Sequence, residues 1–573
     1  MKYLVCLKEV PNTRHIEIDY TSGNLKRDTV GSIPNESDNY ALSALCEIKK
    51  ICPGESYALT MGPKQSRNSL RQALSLGVDF AYQVHGKEFV GADVYATAFT
   101  LSQAIRSIAN IDIVLLGERS SDGETGQVPS ELAYQLNYNF VPNIIKICEV
   151  NSTNMVVMQQ EDNKISKILV KLPVVLSIKN KSFKKIESTL KAKREADKKE
   201  IKYLELDNFI DKEETHYGIS GSKTRVVNLF SKMSCRKSIK KQPDLKKDIV
   251  QLMMEERTVE PTVEERYDLL NKKILVCGES DNISAIFEIL SKIQSFAKNF
   301  TADLFTVNFT RLQIEDIKKS KIFSKILSYK ANRNDYYAYI EILKDLDLSD
   351  YKYIFAPSTD KGKNYLPYIA AKNQSGITAD CSNFELERED LLQVRPTFSE
   401  KLYAKIKSIN NSKVFSTYRV GKFDGDLDKG TCDTQVQNIN YTLNEKNKIL
   451  ETKILPEEKI NESEVIFVVG NAIKTIEDLE IIKKAARNYN AEIYCTRPLV
   501  IGGLMDSARQ VGVSGKTPKA KVAVLIGVAG TNQTMEGLTN VEKIIAINDD
   551  NNSELFKKSD IYYKCRWQEI FGG

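Results

Sequence analysis

The chain has 573 residues, a formal net charge of +6, and 42% apolar and 28% charged residues. That length holds about three or four domains of ~100–200 residues, and that balance supports packed cores rather than disorder. No apolar run reaches the ~18–20 residues that a membrane span needs. The opening MKYLVCLKEV has neither a long apolar core nor a small-residue cleavage site, so it reads as a first strand rather than a signal peptide. Only three histidines occur, which argues against a His-based metal site or a His-driven triad. Any chemistry is therefore expected to belong to a cofactor, with no catalytic residue and no metal ligand assigned. Ten cysteines without a CxxC pair are expected to be reduced thiols in a cytoplasmic protein.

In chain order, Tyr3–Leu7 is a short apolar strand, with a turn over Glu9–Thr13 and a hairpin or long loop over Ile16–Asp28. Helical spacing covers Asn35–Lys50, with Asp38 as N-cap. The strand Ser56–Met61 ends in Gly62-Pro63 and precedes a helix over Ser66–Leu76 closed by Gly77. A helix over Ala92–Ser107 and a strand over Ile111–Leu116 follow. Alternating strands and helices imply a parallel sheet with crossover helices. The loop Gly117–Ala133 leaves the C-terminal end of a strand, where open α/β sheets bind ligands. Asp122, Gly123, Thr125, Gly126, Gln127 and Val128 can hold phosphate and ribose there through backbone N–H groups and a hydroxyl; a plain acidic loop explains the same letters equally well. The basic run Ser182–Lys202 reads as a solvated helix face, ahead of a site for acyl-CoA phosphates or nucleic acid.

Ser231–Lys272 is polar and charged, and reads as a partly helical tether. A second α/β region begins at Lys273, with strands over Lys273–Cys277, Ala302–Val307 and Tyr353–Ala356 and helices over Ile283–Phe300 and Asp335–Lys344. After Gly421 the chain turns polar, with a strand near Gln435–Leu443. A last α/β region opens at Val465–Val469. Its stretch Cys495–Asp550 carries buried-strand runs at Val522–Ile526 and Ile544–Ile547, punctuated by Gly512, Gly515, Gly527 and Gly530. Glycine turns let backbone N–H groups approach a phosphate, and a following helix N-terminus adds its dipole. Ser514, Lys516, Thr517, Thr531, Asn532 and Gln533 add donors. On spacing alone this is either a dinucleotide pocket or an ordinary α/β domain with Gly-rich connections.

The matches at Thr496-Arg497, Gln510–Thr517, Gly527–Gly537 and Ile544–Asp550 make this stretch similar to the FAD-binding domain of the electron transfer flavoprotein α subunit. The first half resembles that family's β subunit through Cys6–Thr13, the spacing of Asn35, Asp38 and Ala41, Met61–Pro63, Leu70–Ala81, Gly91–Ala98, Gly117–Ala133 and Gly218–Val227. Ala356–Cys381, Gln393–Phe398 and Phe415–Phe423 resemble the α subunit's N-terminal domain. The resemblance thus implies a fused β and α chain of Rossmann-like α/β class with three globular domains: a β-like domain over 1–230, a linker over 231–271, an α N-terminal-like domain over 272–450 and an FAD-binding domain over 451–573.

By the same resemblance, Arg497 lies beside the flavin ring, where a fixed positive charge favours the reduced flavin. Ser514 donates to flavin N5. Gln510, Val511 and Gly512 with Gly515, Lys516 and Thr517 wrap the ribityl chain and phosphates, and Asn548 reaches the adenosine end. Gly527, Ala529, Gly530, Gln533, Thr534 and Asp549 complete that set. Asn35, Asp38 and Met61 join the Asp122–Val128 loop around a nucleotide in the β-like domain, either AMP or a second FAD. Arg395 and Arg419 are expected to be structural or to face the β-like half. The departures are Thr534 where the family has His, Gly470-Asn471-Ala472 for G-R-G, Ala529 for Ser, Asp549 for Lys and Arg566 for Asp; the missing imidazole makes the flavin harder to reduce. The implied role is electron shuttling between an acyl-CoA dehydrogenase-type flavoprotein and a downstream acceptor. Its alternatives are an NADH-dependent bifurcating flavoprotein with a second FAD, and a nucleotide-binding scaffold that lost its flavin. Nucleic acid and a transmembrane segment are not expected; association into an oligomer stays open.

Overall fold

The computed structural model describes residues 1–12, 31–64, 66–230, 236, 238–255, 267–269, 272–387, 390–398, 402–409, 413–423, 425, 427–428, 430–444, 446–455, 463–512 and 515–572. The expected hairpin over Ile16–Asp28 and the flavin contact of Ser514 fall outside them. The chain forms two compact units. One contains Met1–Phe230, Glu265–Val420 and Gly425–Leu455; the other contains Ser231–Glu264, Gly421–Asp424 and Pro456–Gly573. Among the described residues, no helix is long and apolar enough to cross a membrane.

The first unit is built twice over from one plan. In its N-terminal copy, parallel strands lie in the order Ile201–Leu204, Phe80–Val84, Glu55–Met61, Lys2–Leu7, Ile113–Gly117, Val174–Ile178, Asn139–Val150. In its C-terminal copy the order is Gln435–Asn440, Phe323–Lys330, Thr301–Val307, Lys273–Cys277, Tyr351–Pro357, Val414–Tyr418, Ile377–Cys381. Position for position, the second sequence of strands repeats the first. The central strands are buried along their whole length, as in Ile113–Gly117 and Val414–Tyr418, as sheets covered on both faces require. Polar caps start the crossover helices: Asp93 accepts from Ala96 N, Asp335 from Ala338 N, and Thr310 with Gln313 forms a capping box.

The two copies exchange strands. Thr224–Phe230, at the end of the first copy, pairs antiparallel with Leu402–Ser408 of the second. Asn447–Ile454, at the end of the second, pairs antiparallel with Lys164–Lys171 of the first. Helices Val128–Leu136 and Gly362–Lys372 pack together, with Tyr134 edge-on to Tyr368 at 5.4 Å. The expected globular regions 1–230 and 272–450 therefore share one compact unit. The basic run holds a helix over Leu190–Lys198, of which only Ala196 is buried.

The second unit is a six-stranded parallel sheet in the order Ile239–Lys240, Ile561–Lys564, Val541–Asn548, Ala520–Ile526, Val465–Val469, Glu492–Cys495. Its edge strand comes from the segment expected to be a tether. The Arg236 guanidinium donates to the Asp560 carboxylate and to the Glu542 carbonyl at 2.8 Å. Helix Leu245–Met254 buries Leu245, Ile249 and Leu252 in the unit's core. The sequence hid this because polar letters dominate the segment, while its three buried apolar side chains recur at helical spacing over barely two turns.

Candidate functional site

Two crevices lie at the C-terminal ends of parallel strands, one in each unit.

In the second unit the strand order reverses beside Val465–Val469: its sequence successor Glu492–Cys495 lies on one side and Ala520–Ile526 on the other. Open α/β sheets take ligands at such a switch point. The loops leaving these strands approach so closely that side chains are excluded. A Cβ on Gly470 would meet the Gly527 carbonyl oxygen at 2.2 Å, and one on Gly527 would meet Ala472 Cβ at 2.2 Å. The turn Gln510–Lys516 closes on itself, Lys516 N donating to the Gln510 carbonyl at 2.6 Å, and Val511 N ties it to the Cys495 carbonyl at 2.8 Å. Gly512, at φ +127°, meets the short helix Asn532–Glu536: its missing Cβ would lie 2.8 Å from the Gln533 carbonyl oxygen. A Cβ on Gly537 would come within 2.3 Å of Gly512 N. Three glycine-bearing segments thus converge backbone against backbone, with Gly470, Gly512, Gly530 and Gly537 buried.

Around that convergence, Arg497 opens the helix after Glu492–Cys495, and Arg497 and Lys516 are exposed with no carboxylate partner among the described residues. The exposed Gln533 and Ala529 and the half-buried Thr517 and Thr534 lie on the same loops. Thr534 Oγ1 lies 3.2 Å from Thr531 Oγ1. Asn548, expected to reach the adenosine end, donates from Nδ2 to the Val528 carbonyl at 2.9 Å and accepts at Oδ1 from Asp550 N at 2.9 Å, so it braces the loop. Asp549 is exposed beside it. Sequence reading missed Lys558, whose ammonium donates to the Gly530 carbonyl at 2.7 Å and to Asn532 Oδ1 at 2.8 Å, fixing the left-handed Gly530. Two exposed cations without a carboxylate partner among the described residues, beside a close glycine convergence at the switch point, suit a dinucleotide such as FAD.

In the first unit the crevice lies beside Lys2–Leu7 and Ile113–Gly117. Asn35, not Asp38, is the N-cap residue of the helix Glu36–Ile51, without a side-chain capping bond, and the Asp38 carboxylate belongs to the helix's first turn. It accepts from Lys8 N at 2.7 Å and from Asn35 Nδ2 at 2.9 Å. Burial pushes the Asp38 carboxyl up to about 7, against those hydrogen bonds. Asn35 also donates to the Arg119 carbonyl at 3.0 Å and accepts from Ser121 N at 3.2 Å, pinning the loop. Lys8, which sequence reading passed over inside Cys6–Thr13, bonds both Asp122 oxygens at 2.9 and 2.7 Å. Burial opposes ionisation of Asp122, and the Lys8 charge together with hydrogen bonds from Lys8, Ser120 and Gly123 outweighs it, so this carboxyl titrates below its ordinary value.

Gly123 N donates to Asp122 Oδ1 at 2.7 Å, and Gly126 adopts φ +65°. Thr125, Val128 and Met61 are half-buried on the crevice margin. Gln127 is 1% exposed, and neither its amide nitrogen nor its oxygen has a protein partner. The second copy roofs this loop: Thr397 Oγ1 and Phe398 N donate to the Asp122 carbonyl at 3.1 and 3.3 Å. Arg395 is 5% exposed, its Nε has no partner, and Asp380 and the loop's Glu124 are the carboxylates that act on it. Burial pulls the Arg395 guanidinium below its ordinary value. Arg419 instead pairs with Asp380. A buried orphan amide and an unmatched buried guanidinium suit a polar anionic ligand such as a nucleotide.

Residues 23–208 and 328–440 match the electron transfer flavoprotein domain, one range in each copy of the first unit, and residues 459–539 match the electron transfer flavoprotein FAD-binding domain. The chain is 37% identical over 229 residues to the electron transfer flavoprotein subunit beta of Thermoanaerobacterium thermosaccharolyticum, covering 40% of this chain and 86% of that protein. It is 38% identical over 178 residues to the caffeyl-CoA reductase-Etf complex subunit CarD of Acetobacterium woodii, 31% of this chain and 68% of that protein. To the lactate dehydrogenase (NAD(+),ferredoxin) subunit LctC of the same organism it is 33% identical over 213 residues, 35% of this chain and 50% of that protein.

Proposed function

This chain belongs to the electron transfer flavoprotein family, with β-type and α-type parts fused in one polypeptide, and on that premise we propose that it carries electrons between a flavin-dependent dehydrogenase and a downstream acceptor. The observation that carries this reading is the glycine-threaded convergence of Gln510–Lys516 with Gly527–Gly537 beside Arg497 and Lys516. FAD, bound there, supplies a reversible two-electron acceptor. The chain's own residues bind and orient it. Lys516 would meet the pyrophosphate. Arg497 would set a positive charge at the ring end, and Thr534 would offer a hydroxyl where relatives of the family offer an imidazole. No side chain has to act as acid, base or nucleophile. The dehydrogenase is of acyl-CoA dehydrogenase type by resemblance. Purified protein should be yellow, release one FAD per chain from the second unit on denaturation, and bleach reversibly when a dehydrogenase and its substrate are added. Colourless protein that takes up no FAD would overturn the reading.

A second reading adds NADH-dependent electron bifurcation, with another FAD in the first unit in place of AMP. It is favoured by Arg395, whose buried and unmatched guanidinium extends the crevice beyond the Asn35–Gln127 lining. The names of CarD and LctC, which place those relatives in a reductase complex and an NAD(+),ferredoxin enzyme, lean the same way. Counting released nucleotides separates the two: two FAD per chain with bleaching by NADH supports bifurcation, and one FAD plus one AMP, inert to NADH, rejects it.

A further inference from the structure

The repeated plan of the first unit gives the second copy a crevice of its own, at the ends of Lys273–Cys277 and Tyr351–Pro357. Its counterpart to Gln127 is Lys361: each is the residue that precedes the helix following the crevice loop, Val128–Leu136 in one copy and Gly362–Lys372 in the other. Where Gln127 has an orphan amide, Lys361 is 2% exposed and sends its ammonium to Asp281 Oδ2 at 2.7 Å. Beneath it Glu279 is 1% exposed, both of its oxygens accepting from Thr359 Oγ1 at 2.9 and 2.8 Å. The first copy closes the crevice from above, as the second copy roofs the first. Glu161 is buried with Oε2 unpartnered, and Asp162 N donates to Asp360 Oδ2 at 3.0 Å.

We propose that Lys361 is the built-in occupant of this second crevice, and that the two buried carboxyls left without an ion-pair partner around it, Glu161 and Glu279, form a pH-sensitive clasp between the two copies.

The charge count carries the second half of the proposal. Two buried carboxyls, Glu161 and Glu279, have no ion-pair partner among the described residues, because the buried Lys361 ammonium is paired with Asp281. From the hairpin of the first copy come Asp162 and Lys164, the latter 3.7 Å from Asp281. From the end of Val174–Ile178 comes Lys179, 3.9 Å from Asp360. The helix Tyr336–Asp345 presents the hydroxyls of Tyr336 and Tyr339, and its cap Asp335 is paired with Arg333. Asp281 and Asp360 therefore draw on Lys361, Lys164 and Lys179, and no cation remains for a second buried carboxylate. Burial raises Glu279 to about 8, against Lys361 and Thr359. Burial and the Asp335 charge raise Glu161 well above the carboxylate range. Burial disfavours the Lys361 charge, but Glu279 and Asp281 outweigh it and hold the ammonium above its usual value. The junction thus keeps a proton at neutral pH and must surrender it in alkali. Folded values above the unfolded one mean that stability is retained at low pH and lost as pH rises through about 8.

The test is hydrogen–deuterium exchange of the full chain at pH 6.5 and 9.0, corrected for intrinsic rates, read on peptides covering Asn154–Lys171 and Tyr351–Lys372. Protection should fall about tenfold across that range, and the double variant E161Q/E279Q should lose most of this dependence. Lys361→Ala should lose protection in both peptides at both pH values, and millimolar ethylammonium should restore it by refilling the space. Wild-type pH dependence kept by the double variant, full protection in Lys361→Ala, or loss in that variant without rescue would overturn the proposal.

Discussion

Thr397 of the second copy donates its hydroxyl to the Asp122 carbonyl in the crevice loop of the first, at 3.1 Å. One bond thereby makes the nucleotide crevice a joint product of both copies, and it brings Arg395, two residues back on the same strand, over Glu124. A buried guanidinium without a hydrogen-bond partner is expensive unless a ligand anion completes it. Arg395→Gln should therefore weaken retention of the first unit's nucleotide by about 1.5–3 kcal/mol, roughly ten- to a hundredfold, while FAD in the second unit stays bound. Counting each nucleotide after gel filtration checks this; equal loss of both would show that the substitution had only unfolded the protein.

Gly512 joins a left-handed backbone to a close approach in the proposed FAD site. At φ +127° with the Gln533 carbonyl 2.8 Å from its absent Cβ, it admits no side chain without moving the helix Asn532–Glu536. Gly512→Ala should cost about 1–3 kcal/mol of local strain and release flavin before it unfolds the domain. The ratio of flavin to protein absorbance should drop well below that of the parent chain, while far-UV circular dichroism stays unchanged.

Much of this was legible in the letters, and the failures have physical causes. Alternating apolar strands and helices gave the parallel sheets, and glycine spacing marked the turns that converge beside the switch point, because buried strands and close backbone approaches restrict residue type. The helix start was set three residues late: Asn35 is the N-cap position, without a side-chain capping bond, and Asp38 lies in the first turn with its carboxylate taken by Lys8 N. The tether was misread because Arg236 and Asp248 look solvated until Asp560 and Tyr563 arrive from far along the chain. The repetition within the first unit left no shared motif, because the two crevice loops differ in length and one ends in Gln127, the other in Lys361.

That tether yields a prediction of its own. Arg236 clamps the Asp560 carboxylate, which also accepts from Ile544 N at 2.7 Å, so it fastens two strands of the second unit. Arg236→Ala should lower that unit's stability by about 1–3 kcal/mol, since a buried acceptor loses a charged donor. A flavin-release transition at lower temperature, with the first unit's unfolding unmoved, is the expected thermogram; a free tether would show no shift.

Thr534 stands where an imidazole is expected from the resemblance, and its hydroxyl is already engaged with Thr531 at 3.2 Å. A donor aimed at developing negative charge in a poorly hydrated site is worth about 1.5–3 kcal/mol when charged. Thr534→His should therefore make bound FAD easier to reduce. A xanthine-oxidase-coupled titration against a reference dye reads the potential directly; an unchanged or lower potential would show that position 534 does not face the ring.

Asp38 gives the first crevice a pH dependence whose sign follows from burial. Its folded value of about 7 lies above the unfolded 3.8, so the folded state holds a proton that the unfolded state has released. Stability from this group is complete below the unfolded value, declines as pH rises between the two, and is fully lost above about 7. The groups that face it, the Lys8 and Gly117 amides and the Asn35 side chain, soften the decline without reversing it. Nucleotide-free protein should thus melt at progressively lower temperature from pH 5 to pH 7.5, and Asp38→Asn, which keeps an oxygen for Lys8 N, should flatten that slope. A parallel slope in the variant would assign the dependence to other carboxyls.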